Sequence, residues 1–189
     1  MSRKLVALLA FSLLAAPLVA AAGAATPPPA GAVSAVAACA NPHLPAEILA
    51  GDGPLGGVTP LPVIDATAGE VKLRLAVAND ETNRELGLMC VTRLRPHRGM
   101  IFVFPQSGDQ EFWMKDTLIP LDMLWVAADG TVTTVASEVP ASTLQTPDDK
   151  VARRRGTGRY VIELPAGEAA ADGIKAQTRI ALPPLATAR

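Results

Sequence analysis

Histidine, cysteine and aromatic residues are scarce in this 189-residue chain, and each scarcity argues against a class of function. There are two histidines, His43 and His97, and two cysteines, while aromatic residues make up 4% of the chain. No cysteine and histidine spacing is typical of a zinc site, so we predict no metal and no cofactor. A cysteine–histidine nucleophile is disfavoured too, since nothing in the sequence orients either histidine.

Two catalytic motifs and a strong charge excess are also missing. The sequence has neither a glycine-rich phosphate loop nor a Gly-x-Ser-x-Gly nucleophile elbow, and each of these marks a family of enzyme sites. With 17 basic and 18 acidic residues, the net charge is −1. This balance gives no electrostatic basis for binding nucleic acid or an anionic membrane surface.

The beginning of the chain is typical of an export signal. Arg3 and Lys4 precede an apolar run over residues 5–19, and small residues suited to cleavage follow it. This layout predicts a signal peptide over residues 1–25, a periplasmic or secreted protein, and no membrane span in the mature chain. Residues 26–62 hold eight of the 17 prolines and are interpreted as a linker that packs partly on a domain over residues 63–184.

Cys39 and Cys90 are the candidate disulfide, because an even cysteine count in an exported protein is typical of such bonds. Residues 36–39 also resemble a lipobox, which would make Cys39 a lipid anchor. We disfavour this alternative because residues 26–31 separate the site from the apolar part of the signal. Two free thiols are the third possibility.

Alternating and apolar runs predict a mainly β domain. About seven strands and one short helix are expected, with strands at 71–77, 101–104, 111–115, 121–127, 131–136, 160–164 and 178–182. Asn79 or Asp80 is expected to cap the helix that begins at Glu81, Asp129-Gly130 is a hairpin turn, and residues 138–158 are interpreted as a surface loop. The fold class is a β-sandwich or a barrel-like, jelly-roll-like domain.

Residues 84–125 combine large apolar side chains with charges, which is typical of a cleft edge or of a paired internal network. Four of the five methionines lie here and are interpreted as core or pocket lining rather than as copper ligands. Trp113 and Lys115 share one face of a predicted strand, and Asp122 is placed to pair with Lys115 or Arg84. The candidate ligand-binding residues are Arg84, Arg93, Trp113, Lys115, Asp116, Thr117 and Asp122.

Several blocks of this sequence, in order, resemble an uncharacterised bacterial and archaeal family, the domain of unknown function 192. The matching blocks are Gly87-Leu88-Met89, Arg93-Leu94, residues 99–104, 112–115, 119–123, 160–167 and 173–175. The resemblance covers roughly residues 63–183 and implies a compact β-sandwich, jelly-roll-like domain, often behind a signal peptide, with no established reaction or ligand. The family usually has asparagine where this chain has Asp116.

Three functions are compatible with these patterns. We favour a non-catalytic exported module that binds a small polar or anionic envelope ligand, for instance a saccharide. The first alternative is a hydrolase that cleaves an envelope glycan or ester through Asp116, Asp122 or Glu163, which would require a specific carboxylate separation. The second alternative is a structural or protein-interaction module of the cell envelope. The sequence does not predict the oligomeric state.

Overall fold

A computed structural model describes the protein over residues 39, 41–49, 60–186 and 188. The predicted signal peptide, residues 1–25, lies outside the described residues. So does most of the predicted linker, of which residues 39, 41–49 and 60–62 are described.

Within the described residues the chain forms seven strands and two short helices. In order they are β1 (Val63–Ala68), β2 (Val71–Ala78), α1 (Glu81–Leu86), β3 (Arg98–Trp113), β4 (Leu121–Val126), β5 (Val132–Val139), β6 (Arg153–Pro165), α2 (Glu168–Ala171) and β7 (Ile180–Ala181). The mainly β prediction is confirmed. The segment at residues 169–173, expected as a helical turn, forms the short helix α2, where the buried carboxylate of Asp122 accepts a hydrogen bond from the first-turn N–H of Ala169.

All seven strands belong to one sheet, in the order β5-β4-β6-β3-β2-β1-β7. Neighbouring strands are antiparallel except for β2 and β3, which are parallel and are connected through α1. The sheet curls into a half-barrel whose two ends meet at one point. There the N–H of Ile180 donates to Gly130 O at 2.8 Å, and the N–H of Val132 donates to Thr178 O at 2.9 Å. The barrel-like form of the prediction is therefore the one adopted.

Both faces of the sheet are buried, and alternate residues of each strand divide between them. The concave face holds side chains from every strand, including Leu75, Ile101 and Ile162. The convex face holds Phe102 and Trp125 among others. Because both faces are covered, a side chain on either one is withdrawn from water unless it reaches an opening.

The two longest strands differ from the prediction. Residues 101–104 and 111–115 were expected as separate strands, but β3 is continuous, with a register shift between Val103 and Gly108. Its partner β6 begins at Arg153, so residues 153–158 are part of a strand and not of a surface loop. The ladder between residues 108–113 and 153–158 pairs the backbone groups that the two polar segments point toward each other.

The described part of the linker packs on the convex face. Leu44 and Ile48 are fully buried in that core, in agreement with the sequence interpretation. Cys39 and Cys90 lie at disulfide distance, with Cα atoms 5.4 Å apart, which agrees with the predicted pairing. No helix in the described ranges is long and apolar enough to cross a membrane.

Candidate functional site

A cavity of about 360 Å³ opens on the convex side of the sheet, between α1, β3 and the turn that follows β3. Its volume lies in the range of pockets that hold small molecules. The side chains around it come from α1, from residues 87–89, from β3, from the turn at 115–117 and from one position of β6.

Helix α1 supplies the first wall. Asp80 caps the helix, because its Oδ1 accepts the N–H of Asn83 at 2.9 Å, and Gly87 ends it at a φ of 48°. Arg84 lies on the last turn, where a cation is favoured by the helix dipole. Its Nη1 donates to Val103 O at 3.1 Å, and its guanidinium lies 5.5 Å from the centre of the Phe104 ring.

Residues 87–90 continue this wall and are held in place by the N-terminal segment and by the turn at 115–117. The side-chain amide of Asn41 donates to Gly87 O at 2.9 Å and to Met89 O at 3.1 Å. The N–H of Cys90 donates to Asp116 O at 2.8 Å, and Cys90 is also the residue at disulfide distance from Cys39. The wall is therefore joined both to the N-terminal segment and to the turn at 115–117.

The opposite wall is aromatic. The ring of Phe112 lies edge-on to Phe102 at 4.8 Å, and to Phe104 and Trp125 at 6.2 Å each, measured between ring centres. Phe102, Phe104 and Phe112 line the cavity, while Trp125 is fully buried behind them. Edge-to-face packing of this kind stabilises a rigid wall.

The turn after β3 carries Lys115, Asp116 and Thr117. Asp116 has a φ of 48°, a backbone conformation that aspartate and asparagine tolerate better than most residues. Thr117 is buried and its hydroxyl donates to Lys115 O at 3.1 Å. Lys115 Nζ lies 2.6 Å from Asp148 Oδ1, and this hydrogen bond raises the pKa of the Lys115 ammonium.

The rim of the cavity contains Trp113, which is 38% exposed. The guanidinium of Arg153 lies 4.7 Å from the centre of its ring. Glu111 forms ion pairs with Arg153 and Arg155, and the hydrogen bond from Arg155 is the main cause of its lowered pKa. The charges on this side of the rim are thus paired with each other.

Glu163 of β6 lies at the base of the cavity and is 4% exposed. In the sheet it is flanked by Met100 of β3 and Met123 of β4, both buried. Its carboxyl makes no hydrogen bond or ion pair with residues 39, 41–49, 60–186 and 188, and its oxygens are not fully sealed from the cavity that Glu163 lines. Burial alone raises the pKa of Glu163 to about 8, so the carboxyl is mostly protonated at neutral pH.

Four of the seven predicted ligand-binding residues line this cavity: Arg84, Trp113, Lys115 and Thr117. Asp116 adjoins it without lining it, and Arg93 is exposed elsewhere.

Asp122 lies apart from the cavity, fully buried, and its carboxylate accepts the N–H groups of Glu138 at 2.7 Å and Ala169 at 2.8 Å. The suggested pairing of Asp122 with Lys115 or Arg84 is therefore wrong within the described structure, since both of its oxygens hold backbone amides.

Two of the three carboxylates named for a hydrolase, Asp122 and Glu163, are separated by the sheet. Asp122 is in register with Leu164, and its neighbour Met123 is in register with Glu163. Successive residues of a strand point to opposite faces, so Asp122 faces the concave side and Glu163 the convex side. The two carboxyl groups do not share an opening, and we do not retain them as a catalytic pair.

Glu163 was absent from the predicted binding residues and appeared only in the hydrolase alternative. One feature of the sequence could have identified it: Glu163 is an acid between Ile162 and Leu164, two residues after Val161. That position shares a face with Val161, which is a core position. Phe102 and Phe112 were missed as well, because an apolar strand gives no indication of which rings reach a cavity.

The comparisons with known proteins agree with this fold. A crystal structure from Sinorhizobium meliloti 1021, called a "putative transcription regulator", has 30% sequence identity and a TM-score of 0.55, covering 67% of this chain and 98% of its own. A protein of unknown function from Novosphingobium aromaticivorans DSM 12444 has 26% identity and a TM-score of 0.53, covering 67% and 89%. No curated protein matches the chain. The family model described as "DUF192: Uncharacterized ACR" matches residues 63–182, and the chain belongs to this family.

Proposed function

We propose that this protein is a non-catalytic binding module that holds a small polar molecule in the cavity between α1 and β3. The observation that carries the proposal is the side chain of Glu163, a buried carboxyl at the base of an open cavity that lacks a protein partner. Burying a polar group without a hydrogen bond costs free energy. A bound molecule that supplies the missing partner would offset that cost.

The rest of the lining supports a small organic ligand. Three phenylalanine rings offer apolar contact, and a few polar groups, Thr117 and Lys115 among them, are available to fix its orientation. This combination is typical of sites that bind a partly apolar molecule through one or two hydrogen bonds.

The charges around the opening favour a polar ligand over a strongly anionic one. Arg84 and Lys115 contribute positive charge, while Glu81, Glu85 and Glu111 contribute negative charge. Lys115 is also partly neutralised by Asp148. A multiply charged anion would therefore gain less here than the sequence alone suggested, because the opposing charges nearly cancel.

An exported location is part of the proposal. The predicted signal peptide supports it. Cys39 and Cys90 lie at disulfide distance, and disulfides are typical of proteins that fold in an oxidising compartment. The molecules available to the cavity would then be those of the cell envelope or of the medium.

A ligand screen tests the binding function. In a thermal-shift experiment, the purified protein is heated with envelope sugars, short peptides, and small organic acids and amides. In a separate titration at constant temperature, Trp113 emission is followed as each molecule is added. A true ligand raises the melting temperature with its concentration, because it binds only the folded state. It also changes the emission of Trp113 at the rim, while Trp125 stays fixed by its hydrogen bond to Gln110 O at 3.1 Å.

Two variants at the cavity and one control variant test whether a ligand that raises the melting temperature binds in the cavity. Lys115→Ala and Trp113→Ala should weaken binding, whereas Lys175→Ala, at an exposed position on another part of the surface, should leave it unchanged. The binding function is wrong if no molecule shifts the melting temperature, or if the shifts are identical in all three variants.

A further inference from the structure

The Glu163 carboxyl lacks a hydrogen-bond partner, and the chemistry of that missing partner indicates the class of the ligand. We propose, on the basis of the binding function above, that Glu163 acts as a neutral carboxylic acid that donates a hydrogen bond to the acyl oxygen of the ligand. The ligand is then a small molecule with a carboxamide or carboxylate group next to an apolar or aromatic part.

The first step in the argument is the absence of a counter-ion. No lysine, arginine or histidine in the described ranges lies within ion-pair distance of Glu163. The two cations that line the cavity have other partners: Lys115 pairs with Asp148 at 2.6 Å, and Arg84 donates to Val103 O and packs on Phe104. An ionised carboxylate buried between two methionines would be costly, so the proton stays on the group.

The second step concerns the hydrogen bonds that a neutral carboxyl can make. It has one O–H donor and a carbonyl oxygen that accepts. The side chains beside it in the sheet, Met100 and Met123, and the rings of Phe102 and Phe112 provide no strong acceptor for that donor. An acyl oxygen of a ligand would satisfy the donor, and an amide N–H could occupy the acceptor as well.

The third step is the charge that faces the cavity from each neighbouring element. Helix α1 presents Glu81, Arg84 and Glu85, β3 presents Glu111, and the turn presents Lys115. Glu111 is already paired with Arg153 and Arg155. A cationic ligand would have to remove the proton from Glu163 and lie near Arg84 and Lys115, so an acyl ligand fits the site better.

Three probes of similar shape test the proposal: benzamide, benzoate and benzylamine. We expect benzamide or benzoate to bind more tightly than benzylamine. The affinity of the acyl probe should be constant at neutral pH and fall about tenfold per pH unit once Glu163 ionises. A preference for benzoate that is lost in Lys115→Ala would identify a carboxylate ligand, and a preference for benzamide that survives Lys115→Ala would identify an amide.

Two variants separate the neutral acid from a carboxylate. Glu163→Gln keeps a donor and an acceptor without a titrating proton, so it should bind benzamide within about threefold of the wild type, with no loss at high pH. Glu163→Leu removes both groups and should weaken binding by about tenfold or more. Carbon NMR gives an independent reading, since an acyl ligand should raise the titration midpoint of the Glu163 carboxyl and a cation should lower it.

The proposal is overturned if benzylamine binds best with an affinity that rises with pH, or if Glu163→Gln abolishes binding of benzamide. It is also overturned if molecules from the broader screen bind in the cavity but none of them carries an acyl group, in which case the binding function stands and the ligand class is wrong. If nothing binds in either experiment, both proposals fail.

Discussion

At the scale of single residues, Glu163 should leave a measurable signature in the pH dependence of folding. Its pKa is raised from 4.5 to about 8 in the folded protein, so between these values the folded state holds a proton that the unfolded chain has released. The free energy of unfolding should therefore fall by about 1.4 kcal/mol for each pH unit across this window. The stabilisation that the Glu163 proton provides is fully present below pH 4.5, and it is lost as the pH rises through about 8.

Glu163→Gln should remove this slope, because an amide does not titrate. Urea unfolding of both proteins, from about pH 4 to about pH 9, measures the difference. Glu70→Gln, at an exposed position, should keep the slope of the wild type. Parallel curves for Glu163→Gln and the wild type would mean that Glu163 is not held neutral.

Asp122 is a second residue whose role is decided by its contacts. Its carboxylate holds the N–H groups of Glu138 and Ala169 from a fully buried position. In Asp122→Ala both amides lose their acceptor, and each unsatisfied buried donor costs about 1–3 kcal/mol. We expect a loss of roughly 3 kcal/mol in the free energy of unfolding, measured in urea.

Asp65→Ala is the matched control, since Asp65 also lies in a strand but its side chain is 81% exposed. Its effect should stay within about 0.5 kcal/mol. An effect of Asp122→Ala no larger than this would contradict a structural role for Asp122. It would also reopen the possibility that its carboxylate serves a ligand.

Asp116 illustrates how a backbone requirement can resemble a binding requirement. Asp116 was predicted as a ligand-binding residue, and the family that the sequence resembles usually has asparagine there. The φ of 48° and the hydrogen bond from the Cys90 N–H to its carbonyl oxygen give a different reason. Both asparagine and aspartate tolerate this left-handed conformation, so the exchange preserves the turn.

At the scale of elements, Gly99 determines how closely β3 and β6 approach beside the cavity. A Cβ atom at Gly99 would collide with the backbone carbonyl oxygen of Glu163. Gly99→Ala should therefore separate the two strands and destabilise the protein by about 1–3 kcal/mol. Thermal unfolding measures the loss, and binding in the cavity should weaken at the same time because Glu163 moves.

Gly108→Ala provides a control in the same strand. The nearest atom to a Cβ at Gly108 would be Gln110 Nε2, at 3.8 Å, so the added methyl group has room. Its melting temperature should stay close to that of the wild type or rise slightly, since alanine lowers the entropy of the unfolded chain. Equal losses in both variants would show that β3 tolerates no substitution and that the contact with Glu163 is not special.

The elements that could be predicted from the sequence are those with a strong local pattern. Alternation over residues 71–77 predicted β2, and Asp80 with Glu81 predicted the start of α1, both in agreement with the structure. Asp129-Gly130 predicted the turn between β4 and β5, where Gly130 has a φ of 89°. The second half of β3 and the start of β6 were not predicted as paired strands, because their pairing joins residues 40 or more positions apart.

At the scale of the whole molecule, the bond between Cys39 and Cys90 attaches the N-terminal segment to the cavity wall. The two cysteines are 51 residues apart in the sequence. Closing a loop of this length stabilises a folded protein by about 4 kcal/mol in the chain-entropy model. Reduction, or the double variant Cys39→Ser with Cys90→Ser, should lower the free energy of unfolding by an amount of this order, measured in urea.

Mass spectrometry provides the control for that measurement. The oxidised protein should be lighter than the reduced protein by the mass of two hydrogen atoms. Reductant should also have no effect on the double serine variant. An acyl adduct on Cys39 would instead establish the lipid-anchor alternative. An unchanged stability after reduction would show that the N-terminal segment is held by its non-covalent contacts, among them those of Asn41, Leu44 and Ile48.

The sequence by itself determined the features that depend on neighbouring residues and on composition. These are the mainly β character, the cap of α1, the hairpin turn, the family resemblance, and the segment around residues 84–125 that borders the cavity. The physical reason is that strand alternation, helix capping and turn conformation are local preferences of the chain.

The tertiary structure alone decided which of the charged and polar residues meet. It placed Arg84, Lys115 and Thr117 around one cavity, turned Asp122 to the other face of the sheet, and brought Glu163 from a distant strand to the base of that cavity. Register decides the face on which a strand residue lies, and burial decides whether its charge persists. Both depend on the packing of strands that are far apart in the sequence.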